Sequence, residues 1–184
     1  MLEHKDLIEA CIKGERSAQR ELYDLFSKKM YVVCLRYTKS QQEAEDVLQE
    51  SFIKVFKNIK GYRGDSRLDY WIKRVVVNTA LNSQRKKLYM YPMVDIEDVK
   101  NEFDLSKAFT NFRMEELLAM IRELPTGCQT VFNLFAIEGY SHKEIAKMLE
   151  VSEGTSKSQF ARARKLLQEK IAEEEKTERY ERFK

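Results

Sequence analysis

The chain has 184 residues, enough for one large domain or two compact ones, and its hydrophobic fraction of 43% excludes general disorder. Six glycines and two prolines beside abundant Glu, Lys, Leu and Ala exclude a turn-rich all-β fold and favour helices. The formal net charge of +3 is too small to announce a nucleic-acid partner by itself, so the distribution of charge has to carry that question.

In chain order, a first helix pair begins near Leu7 and continues through a longer segment with Leu22, Leu25, Phe26, Val33, Cys34 and Tyr37 at helical spacing. Ser40 to Glu43 reads as a capping box. It opens a helix whose Ala44, Val47, Leu48, Ser51, Phe52, Val55 and Ile59 form one stripe ending at Gly61. Ser66 to Asp69 reads as the cap of a fourth helix, with Leu68, Trp71, Ile72, Val75, Val76, Thr79 and Ala80 facing a core that ends near Lys87. From about 88 to 108 the period is lost: Pro92 and the acids Asp95, Glu97, Asp98, Glu102 and Asp104, relieved by Lys100, predict a linker. Periodicity resumes with Met114, Leu117, Leu118, Ile121 and Leu124 and stops at Pro125. Thr126 to Gln129 is then expected to cap a helix carrying Val131, Leu134 and Phe135, closed by Gly139. A second capping box, Ser141 to Glu144, starts a short helix with Ile145, Ala146 and Leu149. A turn at Glu150 to Ser152 leads into a last helix from about Glu153, whose end beyond Lys170 is a charged, solvated tail.

Other chemistries find little support. The longest apolar runs, such as Val75 to Val77, are too short to cross a membrane, and the N-terminus lacks a signal-peptide layout, so a cytoplasmic protein without membrane insertion is expected. Cys11, Cys34 and Cys128 form no CxxC pair and read as buried free thiols; His4 and His142 have no ligand-like spacing. No Ser-His-Asp grouping, phosphate loop or HExxH occurs, so neither an enzyme nor a cofactor or metal site is expected.

Basic residues instead gather in two blocks. One holds Lys60, Arg63, Arg67, Lys73, Arg74, Arg85, Lys86 and Lys87 against only Asp65 and Asp69. The other holds Lys157, Arg162, Arg164 and Lys165 with no acid. Short helix, tight turn and longer basic helix is the helix-turn-helix layout, whose second helix enters the major groove. With Phe160, Ala163 and Leu167 inward, Lys157, Ser158, Ala161, Arg162 and Lys165 are left facing the groove. In the first block, aromatics beside bases suit a single strand, which is held by stacking and charge. Trp71 lies on the apolar stripe and reads as core, whereas Tyr62, Arg63, Lys73, Arg74, Asn78 and Asn82 sit off it.

The ordered set of motifs resembles the extracytoplasmic-function sigma factors of the sigma-70 family over roughly residues 5 to 170. Glu43 to Phe56 is similar to region 2.2; Tyr62 to Ser66, Trp71 to Arg74 and Asn78 to Asn82 are similar to regions 2.3 and 2.4; Leu124 to Arg164 is similar to region 4. The resemblance implies an all-α fold of two helical domains, a region 2 bundle over 1–87 and a region 4 helix-turn-helix over 109–172, joined by an extended acidic linker over 88–108 and followed by a charged tail over 173–184. It implies a transcription initiation factor that docks on the largest-subunit clamp of core RNA polymerase through Asp46, Gln49, Glu50 and Ile53, with the polymerase flap as a further contact. Tyr62, Arg63, Asp65, Ser66, Arg67, Lys73, Arg74, Asn78, Asn82 and Arg85 would meet the opened −10 element. Lys157, Ser158, Gln159, Ala161, Arg162 and Lys165 would meet the −35 duplex. Promoter DNA, core polymerase and an anti-sigma or other regulatory recruitment factor are the implied partners. Two residues depart from the family pattern: Ser156 replaces an apolar residue and Gln159 a base, so looser packing is expected at the first and an altered base preference or a lost phosphate contact at the second. A helix-turn-helix regulator with an N-terminal sensing or dimerising domain would share the C-terminal half, but has no need of a basic, aromatic segment beside an acidic helix. A helical scaffold that never touches DNA conflicts with two separate basic blocks.

Overall fold

In a computed structural model, residues 4–90 and 114–181 are described, apart from the side chains of 85–90, 114, 175 and 177–181. Every regular element among the described residues is helical. The acidic linker expected over 88–108 lies outside the described residues from 91 onward, and its first three residues, 88–90, end a helix instead. The chain divides into two compact units, residues 1–83 and 84–184.

The first unit contains α1 (Lys5–Ile12), α2 (Arg16–Tyr37), α3 (Gln41–Asn58) with a 3-10 turn at Ile59–Gly61, and α4 (Leu68–Met90) as far as Ser83. All seven residues of the expected α3 stripe, from Ala44 to Ile59, are buried. Ser40 starts that helix by accepting the Glu43 N–H at 3.1 Å, while the Glu43 carboxylate accepts the Lys39 N–H at 3.0 Å. Helix α2 packs along α3, and Tyr23 meets Phe52 edge-on at 4.7 Å. Leu22, Val33, Cys34 and Tyr37 are buried as the spacing predicts, but Leu25 is 50% exposed. The period-3.6 stripe is carried instead by Ala18, Leu22, Met30, Val33 and Tyr37, which leaves Leu25 on its outer side. The start of α4 also differs from the sequence reading. Its first turn hangs from the Arg67 carbonyl, which accepts the Tyr70 and Trp71 N–H groups, so the helix begins one residue later than a Ser66 cap would place it. Burial pushes the Cys34 thiol up to about 12, which keeps it protonated and inert. Cys11 and Cys128 are likewise buried thiols in no disulfide.

The second unit holds α5 (Met114–Glu123), α6 (Thr126–Phe132) continuing as a π-helical turn over Asn133–Ile137, α7 (His142–Leu149) and α8 (Glu153–Glu181). Helix α6 has Pro125 at its N-cap and no side-chain cap, so the box expected at Thr126 to Gln129 does not form; Gln129 is buried. The Pro125 carbonyl accepts the Gln129 N–H at 2.9 Å, and proline has no N–H of its own to satisfy. Gly139, at φ +80°, ends the π turn in the left-handed conformation expected of it. One core joins Met120, Ile121, Leu124, Cys128 and Phe132 to Ala163, Leu167 and Ile171 of α8. Past Ile171 the helix exposes Ala172, Glu173, Glu174 and Lys176, as a solvated tail should.

Candidate polymerase and promoter interfaces

On α3 the residues left outside the buried stripe include Asp46, Gln49, Glu50 and Ile53, spaced three, one and three apart and all exposed. Helical geometry puts them on one strip. Ile53 is 54% exposed at the end of this polar row, and Glu50 pairs with Lys54 at 2.6 Å. An exposed pair of this kind adds little to stability, so its acid can be exchanged to a partner at small cost. The strip therefore presents acids, an amide and one uncovered aliphatic side chain to solvent.

The loop before α4 is closed by its own aromatics. Gly64 supplies a left-handed turn at φ +79°. The Tyr62 hydroxyl donates to the Ser66 carbonyl at 2.6 Å, and its ring lies 5.5 Å from that of Trp71. Arg63, Asp65, Ser66 and Arg67 are exposed around this closure. Arg67 donates through Nε and Nη2 to the two Asp69 oxygens at 3.2 and 3.3 Å. Lys29 of α2 donates to Asp69 Oδ2 at 3.1 Å, which ties the start of α4 to α2. Burial works against the Asp69 charge, but the Lys29 hydrogen bond and the Arg67 and Lys29 charges hold its carboxyl below the usual range. Farther along α4, Arg74, Asn78 and Asn82 are exposed four residues apart, and Lys73 is half-buried beside them. The Arg85 side chain lies outside the described residues.

Sequence reasoning missed Tyr70 here. It is 56% exposed, with the Lys73 ammonium 5.4 Å and the Arg67 guanidinium 5.8 Å from its ring centroid. The signal was available, since Tyr70 lies two residues from both Leu68 and Ile72 of the stripe, about 200° around the helix from each.

In the second unit, Ser141 and Glu144 form the full capping box that starts α7. The hydrogen bonds to Ser141 hold the Glu144 carboxyl below its ordinary value. Glu150 turns the chain at φ 58°, a left-handed conformation that costs a non-glycine residue roughly 1 kcal/mol. Ser152 then caps α8 by accepting the Thr155 N–H at 2.9 Å. Along α8, Lys157 and Lys165 are exposed, while Ser158, Ala161 and Arg162 are half-buried on the same outer side.

Gln159, expected among the groove-facing residues, is not on that outer side. It is 5% exposed and turned into the core, where its Oε1 accepts the Cys128 thiol at 3.0 Å. A polar side chain can be buried when its hydrogen bonding is met inside. Ser156 is also fully buried, with its Oγ 2.9 Å from His142 Nδ1. The His142 ring stacks on Phe135 at 4.2 Å and meets Phe160 edge-on at 5.8 Å. The two departures from the family pattern thus bind α8 to α6 and α7 instead of loosening it.

Burial and the nearby Lys157 charge push the His142 pKa below 6.5, with Glu153 opposing. The unfolded chain therefore takes up this proton first as pH falls. Stability contributed here rises with pH between the folded value and about 6.5 and is lost on acidification through that window. An NMR titration of the imidazole should give a midpoint below 6.5; a midpoint at or above it would refute the packing described.

Comparison with known proteins follows the same division. Residues 22–88 match the family described as sigma-70 region 2, and residues 114–167 match sigma-70, region 4. The chain is 30% identical over 178 residues to an ECF RNA polymerase sigma-E factor of Haemophilus influenzae, covering 90% of this chain and 93% of that one. It is 29% identical over 175 residues to the RNA polymerase sigma-H factor of Pseudomonas aeruginosa, covering 89% and 91%. Among solved structures, the sigma factor RpoE of Bartonella quintana, in complex with the anti-sigma factor NepR, is 20% identical with a TM-score of 0.52, over 84% of this chain and 96% of that one. With two sigma-70 regions in order and near-full-length relatives, the chain belongs to the sigma-70 family of transcription initiation factors, among its ECF sigma factors.

Proposed function

We propose that this sigma factor binds core RNA polymerase through the exposed strip of α3, places it on promoters through α8, and holds the opened −10 strand along the Tyr62 loop and α4. The observation that carries this is the difference between the two basic surfaces. Around α4, bases alternate with amides and aromatic rings, which suits unpaired bases. On α8, Lys157, Arg162 and Lys165 line the outer side of a capped second helix, which suits the major groove of a duplex. Residues 1–87 would form the polymerase-docking and −10 domain, 88–108 a linker and 109–172 the −35 domain, ahead of the 173–184 tail.

Within the −35 set, Lys157, Ser158, Ala161, Arg162 and Lys165 keep their roles in this proposal, and Gln159 becomes a packing residue. The largest-subunit clamp is the proposed partner of Asp46, Gln49, Glu50 and Ile53, with the flap engaged by the second domain. The anti-sigma factor bound to the Bartonella quintana protein supports expecting a regulatory partner of that kind here as well. Among the described residues no helix is long and apolar enough to cross a membrane, and the proposed site of action is the cytoplasm, with no catalysis of its own.

The test is reconstitution. The chain should co-purify with core polymerase and direct transcription from promoters it selects, with roughly tenfold or more initiation over core alone. Core polymerase that behaves identically with and without the chain would overturn the proposal.

A further inference from the structure

We infer that His142 is the positioning residue of the second unit's last helix: it fixes the rotation of α8 through Ser156 and Phe160, and taking up a proton releases that helix from the promoter duplex. The inference rests on the initiation-factor reading above and extends it to a residue outside the proposed −35 contacts. His142 opens α7, and α7 packs on α8. Its Nδ1 lies 2.9 Å from the Oγ of Ser156, which is fully buried. Its ring stacks on Phe135 at 4.2 Å and meets Phe160 edge-on at 5.8 Å, while Phe135 lies 4.5 Å from Phe160. One imidazole thus joins α7 to the π turn and to α8.

Ser156 and Phe160 stand four residues apart on α8, so the ring bears on two successive turns of one face. Two such contacts hold a helix against rotation about its axis. Lys157, Ser158, Ala161 and Arg162 interleave with them toward the outer side. At a side-chain radius of about 6 Å, a rotation of about 20° carries a tip by about 2 Å. That is enough to undo a hydrogen bond to a base edge. A proton on the ring decides whether the hold persists. The neutral ring can accept the Ser156 hydroxyl at Nδ1 or donate to it, whereas an imidazolium can only donate. Burial and the Lys157 charge both disfavour the imidazolium, and Glu153, also on α8, opposes them. Lys143 flanks the ring on α7, where Glu144 is bound to Ser141. The π turn faces it with Phe135 and closes at Glu138, and Arg164 stands 6.0 Å over the Phe160 ring. Acid therefore favours an arrangement in which the imidazole leaves its stack for water, and α8 loses its hold.

The experiment uses holoenzyme reconstituted from core polymerase and the full chain. The probes are a promoter duplex that wild-type holoenzyme selects from random duplexes and the same duplex with its −35 segment scrambled. The readout is the ratio of the two affinities between about pH 5 and pH 8, the range in which an imidazole titrates. For wild type the ratio should fall about tenfold on acidification, a usual size for coupling between two sites. The midpoint of the fall should match that of the His142 ring followed by NMR. His142→Asn, whose amide can still meet Ser156, and His142→Phe, which keeps a stacking ring, have no such proton to gain, and their ratios should stay flat. Circular dichroism at each pH records whether the chain is folded. A wild-type ratio that ignores pH, or that falls equally in a folded variant or with a different midpoint, would overturn the inference and leave the initiation-factor reading intact. So would a ratio that rises in acid, since the imidazolium would then be serving a phosphate instead of releasing the helix. A fall that coincides with unfolding of wild type would assign it to loss of the fold and overturn positioning. Wild-type holoenzyme that selects no promoter would overturn both readings.

Discussion

Ile53→Glu is expected to weaken binding to core polymerase at least about 30-fold while leaving thermal unfolding of the chain unchanged. Ile53 is 54% exposed, so removing its side chain takes little from the core and a glutamate there is solvated in the free protein. In a docked complex the same carboxylate would be desolvated beside Asp46 and Glu50, and it would replace the one aliphatic contact that the strip can bury. Loss of a central apolar anchor typically costs 2 kcal/mol or more, whereas rim charges act chiefly on association rate and salt dependence. Glu50→Lys should therefore show the smaller effect. It also faces Lys54, the partner of Glu50 at 2.6 Å, so its defect should ease as salt rises. Affinity measured by competition for fluorescent core polymerase separates the two. An Ile53→Glu chain that competes as well as wild type would remove the strip from the interface.

Much of this was legible before any coordinates because the buried stripes are clean. On α3 the seven stripe residues are all buried, and the residues between them are the exposed docking candidates. The capping box at Ser141 and the left-handed glycine at position 139 were readable for the same reason: each solves a local problem with a nearby side chain or a missing Cβ. Reading failed where polarity and position disagreed. Gln159 lies four residues before Ala163 and eight before Leu167, so spacing puts it inward with them, yet its amide suggested the surface. Its burial is satisfied by Cys128, thirty-one residues away, a contact no local pattern reveals. Leu25 is the converse, an apolar residue outside the buried stripe of a long helix. The placement of Asp69 between Lys29 and Arg67 also needed the tertiary contact of α2 with the start of α4, because Lys29 lies forty residues away in sequence.

Arg162→Ala should lower affinity for promoter duplex by about tenfold, and the form of the loss identifies the contact. If the guanidinium holds a phosphate, binding weakens uniformly across sequences and the slope of log affinity against log salt falls by about one. If it reads a guanine, one position of the selected promoter loses its preference, at roughly 1–3 kcal/mol. Gln159→Ala makes the opposite kind of change on the same helix. Its side chain fills space against Cys128, and truncation should cost about 1–3 kcal/mol of unfolding free energy in the second unit. Promoter preference selected from random duplexes should stay that of wild type, because Gln159 does not reach the outer side of α8. A pair of variants with these signatures would divide the helix into a reading side and a packing side. Changed base preference in Gln159→Ala, with unfolding unaffected, would instead return Gln159 to the DNA and undo the inward assignment.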